Sequence, residues 1–178
     1  MGVLSRGNGR GIKTTVAKFL GTPSGANLLA ALTTKTGTGL PVFSNNALMV
    51  SPQEVVTLYS ALGATGTVNL DVLTQSVLYY STNATANFTL NIRGDGSTTL
   101  NSLMSVGNSI TVAFMNANGA TPYYPNVISI DGTTVTPKIQ GGTAITSGNA
   151  SSIDVYTLAI IKTAANTYTV LEAQTKFA

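Results

Sequence analysis

Residues 123–163 read YYPNVISIDGTTVTPKIQGGTAITSGNASSIDVYTLAIIKT, and residues 167–178 follow as TYTVLEAQTKFA. Apolar and β-branched runs alternate here with turn-forming dipeptides. That pattern belongs to short strands with tight connections. Asp131-Gly132 between the runs 127–130 and 133–139 is the strongest hairpin signal in the chain. A second hairpin is expected from 153–162 and 168–172, folded about 163–166. Gly141-Gly142 and residues 146–149 bound the loop between the two hairpins.

Further upstream the same period persists. Residues 67–73 and 75–80 read as strands, and Phe88, Leu90 and Ile92 alternate with Thr89, Asn91 and Arg93. Gly94-Asp95-Gly96 closes that run. Leu100, Leu103 and Met104 have helical spacing before Gly107, which predicts a short helix within 98–106. Residues 110–115 form another strand and 116–119 a turn. Turn signals every eight to twelve residues point to seven or eight short strands in a sandwich or barrel. No repeat of 20–50 residues stands out.

Before residue 66 the reading changes. Ser51 at the N-cap, Pro52 at N1 and Glu54 at N3 form a capping box. Val55, Leu58, Tyr59 and Leu62 then share one helical face, and Gly63 is placed to stop the helix in a left-handed conformation. A helix is therefore expected over 52–62. Residues 40–43 and 47–50 read as extended, residues 12–20 as a loosely alternating strand, and 21–25 as a turn. The fold class expected is all-β with one or two short helices: an antiparallel β-sandwich or barrel-like body preceded by an extended N-terminal arm. The divisions are a basic arm or attachment region at 1–50, a capped helix and connector at 51–65, and a β module at 66–178.

Composition narrows the function. Cysteine and histidine are absent from the 178 residues, which excludes disulfides, thiolate metal sites and histidine acid–base chemistry. Charged residues make up 8% of the chain, against roughly 25% in an ordinary soluble domain. Uncharged surface rich in Thr and Asn suits a β structure covered by copies of itself or by partners. The charge is also uneven: residues 1–53 carry +5 and residues 54–178 carry −2. Arg6, Arg10, Lys13 and Lys18 are candidates for an anchor onto an acidic surface. Nucleic acid is disfavoured as the partner, because these bases are spread out and no aromatic is interleaved in the Arg6–Arg10 stretch. No apolar run approaches the ~20 residues of a membrane span, and no targeting segment is recognisable.

Catalytic, cofactor and metal residues are not expected. Glu54 is assigned to the helix cap, and Asp95 and Asp131 to Gly-flanked turns. Asp71, Asp154 and Glu172 remain, with no spacing that marks a carboxylate pair. Gly7-Asn-Gly-Arg-Gly11 lacks the Lys-Ser/Thr of a phosphate loop. Tyr79, Tyr80, Tyr123 and Tyr124 are candidate subunit or glycan contacts. Neighbours in a strand point oppositely, so one of each pair should face outward.

FTLNIRGD (88–95), ISIDG (128–132), TPKIQGGTA (136–144) and GNASSIDVY (148–156) together resemble a recurring C-terminal β module. It is the module of structural proteins from tailed bacteriophages, marine and cyanobacterial ones above all. The resemblance spans about residues 67–178. It departs at Ile139 and Ile145, where the family usually has Trp and Pro. It implies a non-enzymatic virion component: a tail fibre, tail adaptor or capsid-decorating protein. It further implies a homotrimer made in the host cytoplasm, with capsid, portal or tail proteins as partners. A receptor- or glycan-binding module contacting the host surface is the alternative.

Overall fold

The computed structural model describes residues 14–22, 24 and 53–178. The chain divides into two units, Met1–Pro52 and Gln53–Ala178. In the first, helix α1 spans Thr14–Gly21. The strand expected at 12–20 is thus corrected to a helix over its described residues. Ala17, Lys18 and Leu20 are good helix formers, and nine loosely alternating residues do not exclude about two turns of helix. The Thr22 amide closes the end by donating to the Lys18 carbonyl at 2.9 Å. The stretches 40–43 and 47–50, and the cap residues Ser51 and Pro52, lie outside the described residues.

In the second unit the strands are β1 (Val56–Tyr59), β2 (Gly66–Asp71), β3 (Val77–Tyr80), β4 (Phe88–Arg93), β5 (Ser109–Ala117), β6 (Pro125–Ile130), β7 (Thr133–Val135), β8 (Lys138–Ile139), β9 (Ile153–Ala164) and β10 (Thr167–Phe177). A one-turn helix, α2 (Leu100–Leu103), precedes β5, and a 3-10 turn, Gln140–Gly142, follows β8. Two sheets pack as a sandwich-like body. One has the order β1-β3-β5-β9-β10-β8 and the other β2-β4-β6-β7.

The body is sandwich-like, but its sheets are mixed, which corrects the antiparallel expectation. From β1 to β6 the chain alternates between sheets. Each return lies parallel to the strand before it in the same sheet: β1 with β3, β3 with β5, β2 with β4, β4 with β6. The first half is therefore a coil whose turns each add one strand to each sheet. β9 then runs antiparallel to β5 and to β10, which supplies the hairpin half of the fold.

The helix expected at 52–62 is corrected to a strand. Residues 56–59 sit in parallel register with 77–80. Tyr59 lies against Tyr80 with ring centroids 4.6 Å apart, and Glu54 accepts a hydrogen bond from the Ser76 hydroxyl at 3.2 Å instead of capping a helix. Val55, Val56 and Thr57 are β-branched, and a full ladder outweighs a weak local preference. The β body accordingly begins at Gln53, not at residue 66. Gly63 is not a helix stop. A Cβ there would lie 1.8 Å from the Asn83 carbonyl oxygen, so the glycine allows two chain segments to touch.

The coil carries an in-register polar ladder on the outside of the four-stranded sheet. Asn69, Asn91 and Ser129 occupy one rung. The Asn91 amide donates to Asn69 Oδ1 at 2.8 Å, and its Oδ1 accepts from the Ser129 hydroxyl and the Gly132 amide, each at 2.9 Å. One rung over, Arg93 pairs with Asp71 at 2.7 Å. This ladder exposes a repeat: Thr67-Val-Asn-Leu70 returns as Thr89-Leu-Asn-Ile92. Replacing Asn91 with alanine should lower unfolding free energy by about 1–3 kcal/mol, because three partners lose one centre. An unchanged urea midpoint would show that the ladder follows the register without stabilising it.

The core fills the space between the sheets. Val68, Leu70, Leu90, Ile92, Ile128 and Ile130 come from the four-stranded sheet, and Leu78, Val112, Phe114, Tyr156, Leu158, Ile160 and Val170 from the six-stranded one. α2 adds Leu100, and its single turn is clamped at both ends. Asp131 Oδ1 and Oδ2 accept from the Leu100 and Asn101 amides at 2.7 and 3.0 Å. The Lys162 ammonium donates to the Asn101 and Met104 carbonyls at 2.6 and 2.8 Å. These contacts satisfy the orphan groups of the helix ends.

Both predicted hairpins form. Asp131 (φ 51) and Gly132 (φ 79) make the left-handed pair of a I′ turn between β6 and β7. The return strand is shorter than expected, however. After Val135 the chain passes Pro137, which cannot donate, and 138–139 cross to pair parallel with β10. At the other hairpin Asn166 (φ 52) and a bulge at 167/168 turn β9 into β10.

Candidate functional site

Of the six acids, four are accounted for by structural contacts. Glu54 meets Ser76, Asp71 meets Arg93, and Asp131 holds α2. Asp95 accepts from the Ser97 and Thr98 amides at 2.7 and 2.6 Å, which holds its carboxyl below the usual range. The remaining two, Asp154 and Glu172, point between the sheets from β9 and β10, and both are buried. They are the candidate site.

Asp154 sits in a polar cluster at one end of the sandwich. Its Oδ2 accepts from the Asn149 amide at 2.8 Å and from the Asn118 side chain at 3.1 Å. Gln174 and the Tyr156 hydroxyl approach it at 3.4 and 3.5 Å. Asn118 in turn accepts from Asn116 Nδ2 and from the Tyr123 amide, each at 3.0 Å. The loop before β9 closes over this group at Gly148, where a Cβ would meet the Tyr123 carbonyl at 2.7 Å and Asp154 Oδ2 at 2.9 Å. Asp154 Oδ1 and Asn116 Oδ1 share one rung of the β5–β9 ladder, and neither has a partner among the described residues. Burial pushes the Asp154 carboxyl up, against the pull of its hydrogen bonds. Protonation would give Oδ1 a donor in the rung it shares with the Asn116 oxygen.

The turn expected at 116–119 is corrected by this arrangement. β5 runs on through Ala117, and Asn116 and Asn118 face inward as members of the cluster. Neither was singled out in the sequence, since Asn-Ala-Asn-Gly carries ordinary turn chemistry.

Glu172 lies two rungs from Asp154's neighbour Gln174 in chain terms, opposite Leu158 and Ile139. Its Oε1 has no partner among the described residues, and burial raises its carboxyl to about 7. A groove of 340 Å³ between the β6–β7 hairpin and the crossing segment reaches it, with Val127, Val135, Pro137 and Ile145 as apolar walls. A second groove of 350 Å³ runs along the other side of that segment to Gln174 and Lys176. The rungs of Asp154 and Glu172 are four residues apart along the strands, about 13 Å. That exceeds the ~5–9.5 Å of carboxylate pairs that cleave glycosidic bonds. What the arrangement can do is hold protons and accept hydrogen bonds at buried carboxylates.

Of the candidate contact tyrosines, the pair at 79 and 80 divides as expected and the pair at 123 and 124 does not. Tyr79 is on the outer face of the six-stranded sheet, whereas Tyr80 faces inward between Tyr59 and Phe114. Tyr123 and Tyr124 both pack against the core, so neither is the outward member of its pair. Of the candidate anchor residues, Arg6, Arg10 and Lys13 lie outside the described residues, and Lys18 is exposed in the last turn of α1. Among the described residues no helix is long and apolar enough to cross a membrane, and no group of three or more potential metal ligands occurs. No family model, curated protein or solved structure matches the chain.

Proposed function

We propose that this chain is a non-enzymatic structural component of a tailed-phage virion, a tail fibre, tail adaptor or capsid-decorating protein, held to the particle by its basic N-terminal region. The observation that carries the reading is the coil of β1–β6. Stacked parallel turns with an Asn-Asn-Ser ladder are the construction of a protein that has to be stiff and durable. Two further features agree. Charge is scarce throughout, and +5 is concentrated in residues 1–53. The resemblance of residues 67–178 to phage structural modules supplies the particle. The partners are capsid, portal or tail proteins and further copies of the chain, with three in the assembly that the resemblance implies. Three anchors in one assembly bind as a unit.

Deleting residues 1–21 should abolish incorporation into particles while leaving the β body folded. Particles assembled with the truncated chain and probed by immunogold labelling provide the measurement. Normal labelling would remove the anchor assignment. A second reading, a module that touches the host receptor or a glycan, is favoured by one observation. The crossing segment at 136–147 is largely exposed and has a groove on each side.

A further inference from the structure

A sheet with one face in water shows apolar residues on the buried face and polar ones on the other. The four-stranded sheet obeys this rule. Its outward positions include Thr67, Asn69, Asp71, Thr89, Asn91 and Arg93. The six-stranded sheet does not. Its inward positions are the core and the polar cluster just described, so the outward set is the alternate residues of β1, β3, β5, β9 and β10. None of those outward residues is charged. They read Val56 and Leu58, then Val77 and Tyr79, then Ser109, Thr111, Ala113 and Met115. On β9 and β10 they continue as Ile153, Val155, Thr157, Ala159, Ile161 and Thr163, and as Thr169, Leu171, Ala173, Thr175 and Phe177. Lys138 on the two-residue edge strand is the first charge met on that side.

We infer that copies of this chain associate through the outer face of the six-stranded sheet. The centre of the face is made of small side chains: Ala113, Thr157, Ala159 and Ala173 are neighbours through the β5–β9–β10 register. Small residues let two sheets approach to the usual spacing of about 10 Å. Larger apolar groups surround them, with Leu171 44% exposed and Leu58 61% exposed. The occupant is a second copy because size and chemistry match. The five strands hold forty residues, and at about 3.3 by 4.8 Å each they cover about 630 Å² per copy. Two such faces bury about 1,260 Å², within the range of stable specific interfaces. An uncharged face is also self-complementary: two copies meet without like charges opposing each other. The inference rests on the reading of the chain as a self-assembling component; a face that meets its own copy pairs chains two by two, so it is a contact separate from any threefold one.

The test uses the full chain and light scattering. The unaltered protein should run as a multiple of the single-chain mass, and Ala159→Arg should return it to one chain with an unchanged far-ultraviolet circular dichroism spectrum. The chain has no cysteine, so Ala159→Cys introduces a unique thiol. A short bifunctional thiol reagent should join those chains, and should not join Thr89→Cys chains, whose thiol lies on the outside of the other sheet. If Ala159→Arg does not fold, the cross-link decides. A single-chain mass for the unaltered protein overturns the inference. So does a multimer that survives Ala159→Arg and leaves Ala159→Cys unlinked. Particle labelling is scored separately: association through this face with no labelling would overturn the virion reading and leave the interface standing.

Discussion

Replacing Phe114 with alanine should cost about 3–5 kcal/mol of unfolding free energy, the range for deleting a buried aromatic. Phe114 is fully buried on β5 and touches rings from three directions. Tyr80 lies 5.7 Å away and Tyr156 6.3 Å away across the six-stranded sheet, and Phe88 reaches it edge-on at 5.5 Å from the opposite sheet. It is therefore the contact that joins the aromatic row of one sheet to the other. The cavity left by alanine would be lined by three rigid rings, which close on a void poorly. Phe114→Leu should cost less, since much of the volume is kept. Urea unfolding of both variants provides the measurement. A loss below 1 kcal/mol for the alanine variant would show that the rings can collapse together, and that the sheets are joined elsewhere.

Stability should fall as pH rises from 4.5 to 7. The Glu172 carboxyl has an ordinary value of 4.5 and stands at about 7 in the folded protein. Across that interval the folded state holds a proton that the unfolded state has lost, so unfolding is favoured by increasing pH. Below 4.5 both states are protonated, and above about 7 both are charged, so the effect is confined to the window between. The size is about 3 kcal/mol at one group. Asp154, raised by burial, acts with the same sign. Asp95, lowered by the Ser97 amide first and the Thr98 amide second, acts oppositely and only at more acidic pH. In Glu172→Gln the same groove and burial remain without the ionisation. The difference in urea midpoint between pH 5 and pH 8 should shrink in that variant, with a gain in stability at pH 8. Parallel profiles for the two proteins would show that Glu172 is solvated in a way its burial does not suggest.

The hairpins were readable because both partners of each lie within about twenty-five residues and a marked turn joins them. Asp131-Gly132 and the Asn166 turn fix register locally. The parallel pairings were not readable in the same way. Alternation says which residues share a face, but a strand gives no local signal of whether its partner is the next strand or the one after. The repeat Thr67-Val-Asn-Leu70 and Thr89-Leu-Asn-Ile92 did carry that information. It is only four residues long, and its third rung, Val127-Ile-Ser-Ile130, replaces Asn with Ser and follows after an interval stretched by α2. The misread helix has a similar origin. Val55, Leu58, Tyr59 and Leu62 fit helical spacing, yet what decides their conformation is the row of strand partners at 77–80.

The candidate site was half legible. Elimination in the sequence leaves Asp71, Asp154 and Glu172, and only the fold sets Asp71 aside, through its ion pair with Arg93. The sequence does not show that Asp154 and Glu172 are inward-facing, or that Asn116, Asn118 and Gln174 join Asp154 from two other segments, the end of β5 and β10. Inward placement follows from the β5–β9–β10 register, and cover for the cluster depends on Gly148 admitting a backbone where no side chain fits.

A body wound in turns can change its length in fixed increments. The stretch from Gly66 to residue 87 contains β2, β3 and their connections, 22 residues that end where β4 begins. Copying it in tandem would place one more strand in each sheet and lengthen the stack by about 4.8 Å. The hairpin half of the fold would not be disturbed, because each turn contacts only its neighbours. Such a chain can be lengthened over generations by duplicating a short stretch of its gene, with every intermediate a complete fold.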